Sequence, residues 1–567
     1  MLKVLFYHAN DTLTHSHETV LFLGIAALCL RTHIETSHPE IGNQIEWLLP
    51  IQNRLTDQEL IDYCNEVKPD LICTSHYIWN HTFLMEQLER LQSKISSNIK
   101  FAVGGPSIDV NIDPEFFKKY SFVDYAVYGA GEHAFADILS SVILNKPLIA
   151  FNTSNIAWFD KQKNKTVIAD FKYVPQSKIS PFLHYEEMFS DMVKDQQNKN
   201  ISVIIPYDLT RGCPYSCTFC DWNSGLTNKV SRRKGSYRDE IDLFQKLKIR
   251  NIYLSDANVG QYQEDIDMIA YFAEKNINEG AKFVLDGNYS KLRKENNLKI
   301  YHLLGKANLA SEYAGFTISV QDINPQVLQN IDRPDVGWSE HLAIITELKE
   351  AFPERHSKIQ LIQGLPGQTP DSWRATLAEI SKYEVQLQPF ISELLPASPA
   401  ARDKEYQEKF KFTYSTSQRY QDGYIFRGTF PESCVSFTKF DFVKMTILTI
   451  FYSALIQFKI QSKEEFDFEN VVDEFLMSKN YFALENNLYN NWTMHDKFYF
   501  SLDLDLNARD VSACQFIISS NDWSRSLFLL KLIASNVKGS PMTLVKRMLN
   551  YKNGVHQVKI RSLEGYT

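Results

Sequence analysis

Three thiols stand on one short stretch of this chain. Arg211-Gly212-Cys213-Pro214-Tyr215-Ser216-Cys217-Thr218-Phe219-Cys220 spaces Cys213, Cys217 and Cys220 as C-x3-C-x2-C. Three thiolates on one loop can ligate three irons of a cubane cluster and leave the fourth iron open to a non-protein ligand. The amine and carboxylate of an amino acid can chelate such an iron, which brings a sulfonium within electron-transfer reach. Zinc is a second reading, but it asks for four ligands, usually in CxxC pairs, and no fourth Cys or His lies nearby in the sequence. A chance grouping of structural cysteines is the third.

The loop follows an apolar run, ISVIIPYDL (201–209), that opens a β/α series. NIYLSDAN (251–258), KFVLDGN (282–288), GFTISVQ (315–321), KIQLIQGLPG (358–367) and VQLQPFISELLP (385–396) continue it, with helical segments between. This series predicts a partial, open (β/α)6 barrel over 201–400, with chemistry at the carboxyl ends of its strands. Residues 1–145 alternate in the same way: VLFY (4–7), IEWLLP (45–50), LICTSH (71–76), KFAVGG (100–105) and DYAVYG (124–129) read as strands between amphipathic helices. That pattern predicts a Rossmann-like, doubly wound parallel sheet whose loops gather a ligand at the carboxyl edge. The polar stretch 146–200, with Pro147, Pro175 and Pro181, reads as an irregular linker. From 401 to 567 aromatic-rich helices are expected, with Phe437, Phe440, Phe442, Phe451 and Tyr452 mostly in the core.

The cysteine spacing with an aromatic at Phe219 resembles the radical SAM superfamily, over roughly 203–400. The resemblance implies a 4Fe–4S cluster on Cys213, Cys217 and Cys220, with S-adenosyl-L-methionine on the open iron. It also implies reductive cleavage to a 5′-deoxyadenosyl radical, with Phe219 beside the adenine. Asp256 and Asn258 stand where the family binds the methionine amine, although this chain has Ser255-Asp256-Ala257-Asn258 in place of a GGE-type turn. Ser319 and Gln321 suit ribose hydroxyls, and Gly364 lies in the fifth-strand motif that accommodates adenine. Glu393 and Arg333 are further polar candidates.

The first domain resembles the cobalamin-binding class of that superfamily through FLGIAAL (22–28), CTSHYIWN (73–80), VGGPS (103–107) and VDYAVYGAGE (123–132). The resemblance implies that Leu23, Gly24, Ser75, Tyr77, Trp79, Asn80, Gly104, Gly105, Ser107, Gly129, Gly131 and Glu132 line a cobalamin site. The D-x-H-x-x-G segment that supplies a lower histidine ligand is absent. His8, His15 and His17 surround the first loop without that spacing, and bulky Tyr77-Ile78-Trp79 could fill the lower face instead. The implied function is methylation of an unactivated carbon of a peptide or specialised metabolite, with electrons from a flavodoxin or ferredoxin. Alternatives are a cobalamin-assisted rearrangement or cyclisation, and a non-enzymatic cobalamin or redox sensor. The absence of a second three-cysteine cluster domain argues against methylthiolation of tRNA.

Composition agrees with a large reduced enzyme. At 567 residues, 44% hydrophobic and 23% charged, the chain has room for roughly three or four domains. A net charge of −8 argues against wholesale binding of a nucleic-acid backbone. The run Lys229, Arg232, Arg233, Lys234 and Arg238 reads as a solvated face, or else as a means of steering an anionic substrate. No apolar run reaches the roughly 20 residues needed to span a bilayer. The opening MLKVLFYHAND reads as a first strand rather than a secretory leader. Eight cysteines in so long a chain point to a reduced, cytoplasmic setting.

Overall fold

The computed structural model describes residues 1–15, 18–222, 228–233, 235–310, 315–421, 424–462 and 468–477. These divide into two compact units. The first takes the described residues of Met1–Ser216, Cys220–Ser311 and Leu395–Arg402, and the second those of Cys217–Phe219, Glu312–Leu394 and Asp403–Thr567.

In the first unit, the run LKVLFYHAN forms the strand Leu2–Asn10, buried without interruption from Val4 onward. Such continuous burial marks a strand covered on both faces. Leu5, Tyr7 and Ala9 enter a core with Leu84, Leu88 and Phe101. Phe6 takes the opposite face, against Phe135 of the helix Glu132–Leu144. Parallel neighbours of Leu2–Asn10 are Ile45–Trp47, Ile51–Asn53 and Leu71–Ser75, followed outward by Lys100–Gly104 and Tyr125–Val127. The helices start where the sequence caps them: Thr56 and Glu59 form a reciprocal capping box before Asp57–Val67.

The stretch 146–200 is more regular than expected. Ile156–Asp160 pairs antiparallel with Tyr125–Val127, and Lys165–Ile168 pairs antiparallel with it in turn. The helices Pro181–His184 and Glu186–Asn198 follow. Polar flanks hide a short apolar strand, Ile156-Ala157-Trp158, that covers an otherwise open sheet edge.

A second sheet in the same unit holds the first three strands of the β/α series, Ser202–Tyr207, Asn251–Val259 and Val284–Tyr289, all parallel. Its other members come from far away in sequence. Glu18–Phe22 pairs parallel with Ser202–Tyr207, and Thr12–His15 pairs antiparallel with Glu18–Phe22. The segment after the first strand therefore builds the sheet that carries the cysteine loop.

The second unit holds the other three strands, Phe316–Gln321, Ser357–Gln363 and Gln386–Ile391, again parallel. Its later part does not begin with helices: an antiparallel hairpin, Thr413–Gln421 with Tyr424–Ser433, comes first. Strand-forming Thr, Tyr and Phe residues explain it. The helices Lys439–Ser462 and Phe468–Leu476 follow. Trp373 Nε1 donates to Thr449 Oγ1 at 2.8 Å, fixing Lys439–Ser462 on the helix Pro370–Ser381. Residues 478–567, Cys514 among them, lie outside the described residues, as does His17. No described helix is long and apolar enough to cross a membrane.

Candidate active site

The cysteine loop is closed at its base. Thr210–Arg211 pairs antiparallel with Ser231–Arg232, so the chain leaves and re-enters the same short ladder. Gly212 has φ +91, and a Cβ there would stand 2.4 Å from the Lys229 carbonyl oxygen, so only glycine fits. Cys213 and Cys217 are buried, and Cys220 is partly exposed. Within the basic run Lys229 and Arg238 are exposed, as on a solvated face, whereas Arg232 and Arg233 turn inward. Arg232 reaches Asp265 at 3.0 Å and lies over the Tyr262 ring. Arg233 is buried against Glu240, which also accepts from the Tyr207 hydroxyl at 2.5 Å. These ion pairs hold the base of the loop.

Asp256 and Asn258 lie at the end of Asn251–Val259. Both Asp256 oxygens are engaged by the chain itself, accepting from Leu209 N at 3.1 Å and Thr210 N at 2.7 Å. Burial, with Asp208 and Asp265 adding to it, pushes this carboxyl up to about 8. Asp256 therefore anchors the approach to Cys213. Asn258 reaches the loop directly: its Nδ2 donates to Cys213 Sγ at 3.2 Å.

In the second unit, Phe219 packs against Val327, Ile331 and Leu365, with Leu328 and Ile362 alongside. The aromatic of the cysteine motif and the Gln363-Gly364-Leu365 turn thus share one apolar shelf. Gly364 has φ +93, and its turn is held by Gln368 Oε1, which accepts from Gly364 N at 2.8 Å and Leu365 N at 3.0 Å. Thr218 N donates to Ile331 O at 3.0 Å, fixing the residue beside Phe219. Ser319 Oγ donates to Gln360, and Gln360 Nε2 to Gln388 Oε1 at 3.1 Å, a polar ladder across three strands. Gln321 is held at φ +70, a conformation that is unfavourable for a residue with a side chain. Arg333 donates to the Ser319 carbonyl, and a Cβ on Gly428 would meet Glu393 Oε1 at 2.8 Å.

The N-terminal loops gather at one sheet edge but divide their labour. Asn80 is a clamp: its Oδ1 accepts from Tyr77 N at 2.8 Å, and its Nδ2 donates to His8 O at 2.9 Å and Ser75 O at 3.0 Å. The turn it closes stacks Tyr77 on Trp79, with centroids 4.5 Å apart and planes 9° apart. Trp79 remains 40% exposed, so its outer face is available to a ligand, while Tyr77 backs it from a more buried position. Gly105, at φ +100, lies against the His76 backbone, whose oxygen would stand 2.7 Å from a Cβ; Ser107 N donates to the same oxygen at 3.0 Å. A Cβ on Gly104 would make only ordinary contact with Val127. Gly129, at φ +66, and Gly131 shape the turn into Glu132–Leu144. Leu23 N bonds Ile204 O at 3.0 Å, continuing the second sheet, while Gly24 N donates to Gln52 Oε1 at 2.7 Å. The His8 ring fills the space where a Gly24 side chain would go. Glu132 turns to the cysteine loop, accepting from Arg211 Nη1 at 2.8 Å. Sequence reasoning missed His76, Gln52 and Gln368, whose partners lie in distant segments or turn backbones.

Residues 207–380 match the radical SAM superfamily, and residues 43–139 match the B12 binding domain. The chain therefore carries a radical SAM domain and a B12-binding domain. It is 25% identical over 384 residues to the cobalamin-dependent radical SAM methyltransferase TokK of Streptomyces tokunonensis, covering 67% of this chain and 54% of TokK. It is 24% identical over 391 residues to the 2-(S-pantetheinyl)-carbapenam-3-carboxylate methyltransferase of Streptantibioticus cattleyicolor, covering 67% and 54% of the two chains. The chain thus spans about half the length of these curated relatives. The fold is shared with the radical SAM methyltransferase TsrM of Kitasatospora setae, solved with cobalamin and a 4Fe–4S cluster: TM-score 0.54, 13% identity, 73% of this chain and 77% of TsrM covered. It is shared also with the cobalamin-dependent radical enzyme OxsB: TM-score 0.57, 13% identity, 99% and 82% covered.

The radical SAM residues fit the cofactors these domains use. Cys213 already receives an amide donor, as a thiolate ligand of an electron-rich cluster would. Phe219 offers an apolar shelf beside a turn with no side chain at Gly364. In the B12-binding domain, Trp79, stacked on Tyr77, sits exposed on the loop after Leu71–Ser75.

Proposed function

We propose that this radical SAM protein is a cobalamin-dependent C-methyltransferase acting on an unactivated carbon of a small molecule or peptide. The observation that carries the reading is the joining, within one unit, of the B12-binding fold to the segment that leads into Cys213: Glu132 holds Arg211, two residues before that cysteine. When bound, the cluster supplies the electron, SAM the methyl group and the hydrogen-abstracting fragment, and cobalamin the methyl carrier.

The chain's own residues bind and orient. Cys213, Cys217 and Cys220 would hold the cluster, and Asp256 fixes the backbone that leads into their loop. Phe219 and Leu365 would receive adenine, while Ser319 and Gln321 present polar groups for the ribose. Gly104, Gly129 and Gly131 would let the nucleotide tail approach the backbone, and Tyr77–Trp79 would cover the corrin. The electron donor is of flavodoxin or ferredoxin type. The low cysteine content, eight in 567 residues, supports a reduced, cytoplasmic setting.

The deciding experiment is anaerobic incubation with SAM labelled in its methyl group, cobalamin, reductant and a cell extract. Transfer of label to a product carbon supports the reading. SAM cleavage with an unlabelled, rearranged product puts ring rearrangement in its place, and absence of SAM cleavage removes the enzyme reading altogether.

A further inference from the structure

Asn258 occupies an irregular stretch of its strand. Burial along Asn251–Val259 alternates up to Asp256 and then becomes continuous through Val259. The register with Val284–Tyr289 shifts between Leu254 and Val259. Such a bulge re-aims side chains, and this one turns the Asn258 amide onto Cys213. The residue is 7% exposed, and Nδ2 lies 3.2 Å from Cys213 Sγ. Rotating the amide by a half-turn would set an oxygen lone pair against a thiolate, so sulfur chemistry fixes the orientation. The opposite atom, Oδ1, is buried with no hydrogen-bond partner among the described residues. Leaving a buried acceptor unsatisfied costs about 1–3 kcal/mol, so no bond of its own to the described protein explains the placement.

We propose that Asn258 is a positioning residue that sets how easily the cluster is reduced, by donating a hydrogen bond to the Cys213 sulfur. The proposal rests on the reading of Cys213 as a cluster ligand. A donor at a ligating sulfur draws electron density from it and favours the more negative, reduced cluster. Removing the donor must therefore lower the reduction potential. A carboxylate in the same place loses the donor and adds negative charge, which acts in the same direction.

The test uses the full chain, reconstituted anaerobically, as wild type, Asn258→Leu and Asn258→Asp. Iron per chain is measured first, then the reduced fraction by electron paramagnetic resonance across a potential titration. Both variants should keep their iron. At a fixed potential the reduced-to-oxidised ratio should fall about tenfold, equivalent to about 59 mV for one electron. An unchanged potential in an iron-replete Leu or Asp variant overturns the proposal. Loss of iron in both variants also overturns it, because Asn258 would then serve cluster assembly. Failure of the underlying reading looks different: the wild type itself would hold no cluster.

Discussion

The Arg211 guanidinium meets the Glu132 carboxylate at 2.8 Å, tying the approach to Cys213 to the helix that follows the Gly129-Ala130-Gly131 turn. Glu132 is nearly buried, whereas Arg211 keeps about a third of its side chain exposed and also faces Asp208 at 3.5 Å. Burial opposes the charge on Arg211, but Asp208 and Glu132 outweigh it and hold the guanidinium firmly protonated. A pair with one wet partner stabilises less than a fully buried one, so a coupling of about 1–2 kcal/mol is expected. A double-mutant cycle with Glu132→Gln and Arg211→Gln on the denaturant midpoint measures it. Losses that simply add would show that the two side chains do not act together.

Among the cysteines, only Cys213, Cys217 and Cys220 share a loop. Alanine at any of them should abolish the cluster and SAM cleavage. Cys434, whose sulfur sits 3.2 Å from Ser436 Oγ, should tolerate alanine with full iron content. Iron near the wild-type level in the triple alanine variant would remove the cluster assignment.

Much of this was legible from local signals. The cysteine spacing, the apolar strand runs and the small residues at their ends each reflect chemistry within a few positions, and the strands formed where those runs lay. The partners of those residues were not legible. Glu18–Phe22 finds its parallel neighbour about 180 residues later, and nothing in its five residues names Ser202–Tyr207. The sequence places Asn80 and Gly105 among the cobalamin-site residues without showing their contacts within the chain: Asn80 spends its amide on three backbone groups, and the His76 backbone lies against Gly105. An Asn before a helix and a Gly after a strand signal a tight turn equally well whether a ligand or the chain's own backbone sits against it. Arg232 and Arg233 of the basic run misled in a similar way, because Asp265 and Glu240 become their neighbours only in the fold.

Buried imidazoles give the first unit a defined acid limit. Burial pushes His8 down to about 4, and burial with help from Lys119 does the same to His81. His76 lies well below the ordinary range through burial and the neighbouring His81. In the unfolded chain these groups take up protons below about 6.5, whereas in the folded chain they remain neutral to near 4. Their contribution to stability is complete above about pH 6.5 and is lost as pH falls toward 4. Urea unfolding between pH 6 and 4.5 should show this slope, and His81→Gln should reduce it by up to about 1.4 kcal/mol per pH unit. An unchanged slope would mean that His81 titrates as an exposed histidine does.

The lower face of cobalt gives the last prediction: no histidine of this chain coordinates the metal, and Trp79 covers that face. His8 follows Val4 and Phe6 on one side of its strand. It stacks with Phe6 at 6.3 Å and packs on Gly24, so its ring belongs to the layer between sheet and helices. His76 has both ring nitrogens engaged, one with Thr74 Oγ1 at 2.7 Å and one with His81 at 3.2 Å. Trp79, by contrast, stands exposed on the loop after Leu71–Ser75, stacked on Tyr77. Electron paramagnetic resonance of the cob(II)alamin-loaded protein should show cobalt lines without nitrogen splitting, unchanged in His8→Ala. Trp79→Phe should weaken corrinoid retention, and cobalamin should quench less indole fluorescence in that variant than in the wild type. Nitrogen splitting that vanishes in His8→Ala would make His8 the ligand, and quenching identical in Trp79→Phe would place Trp79 away from the corrin.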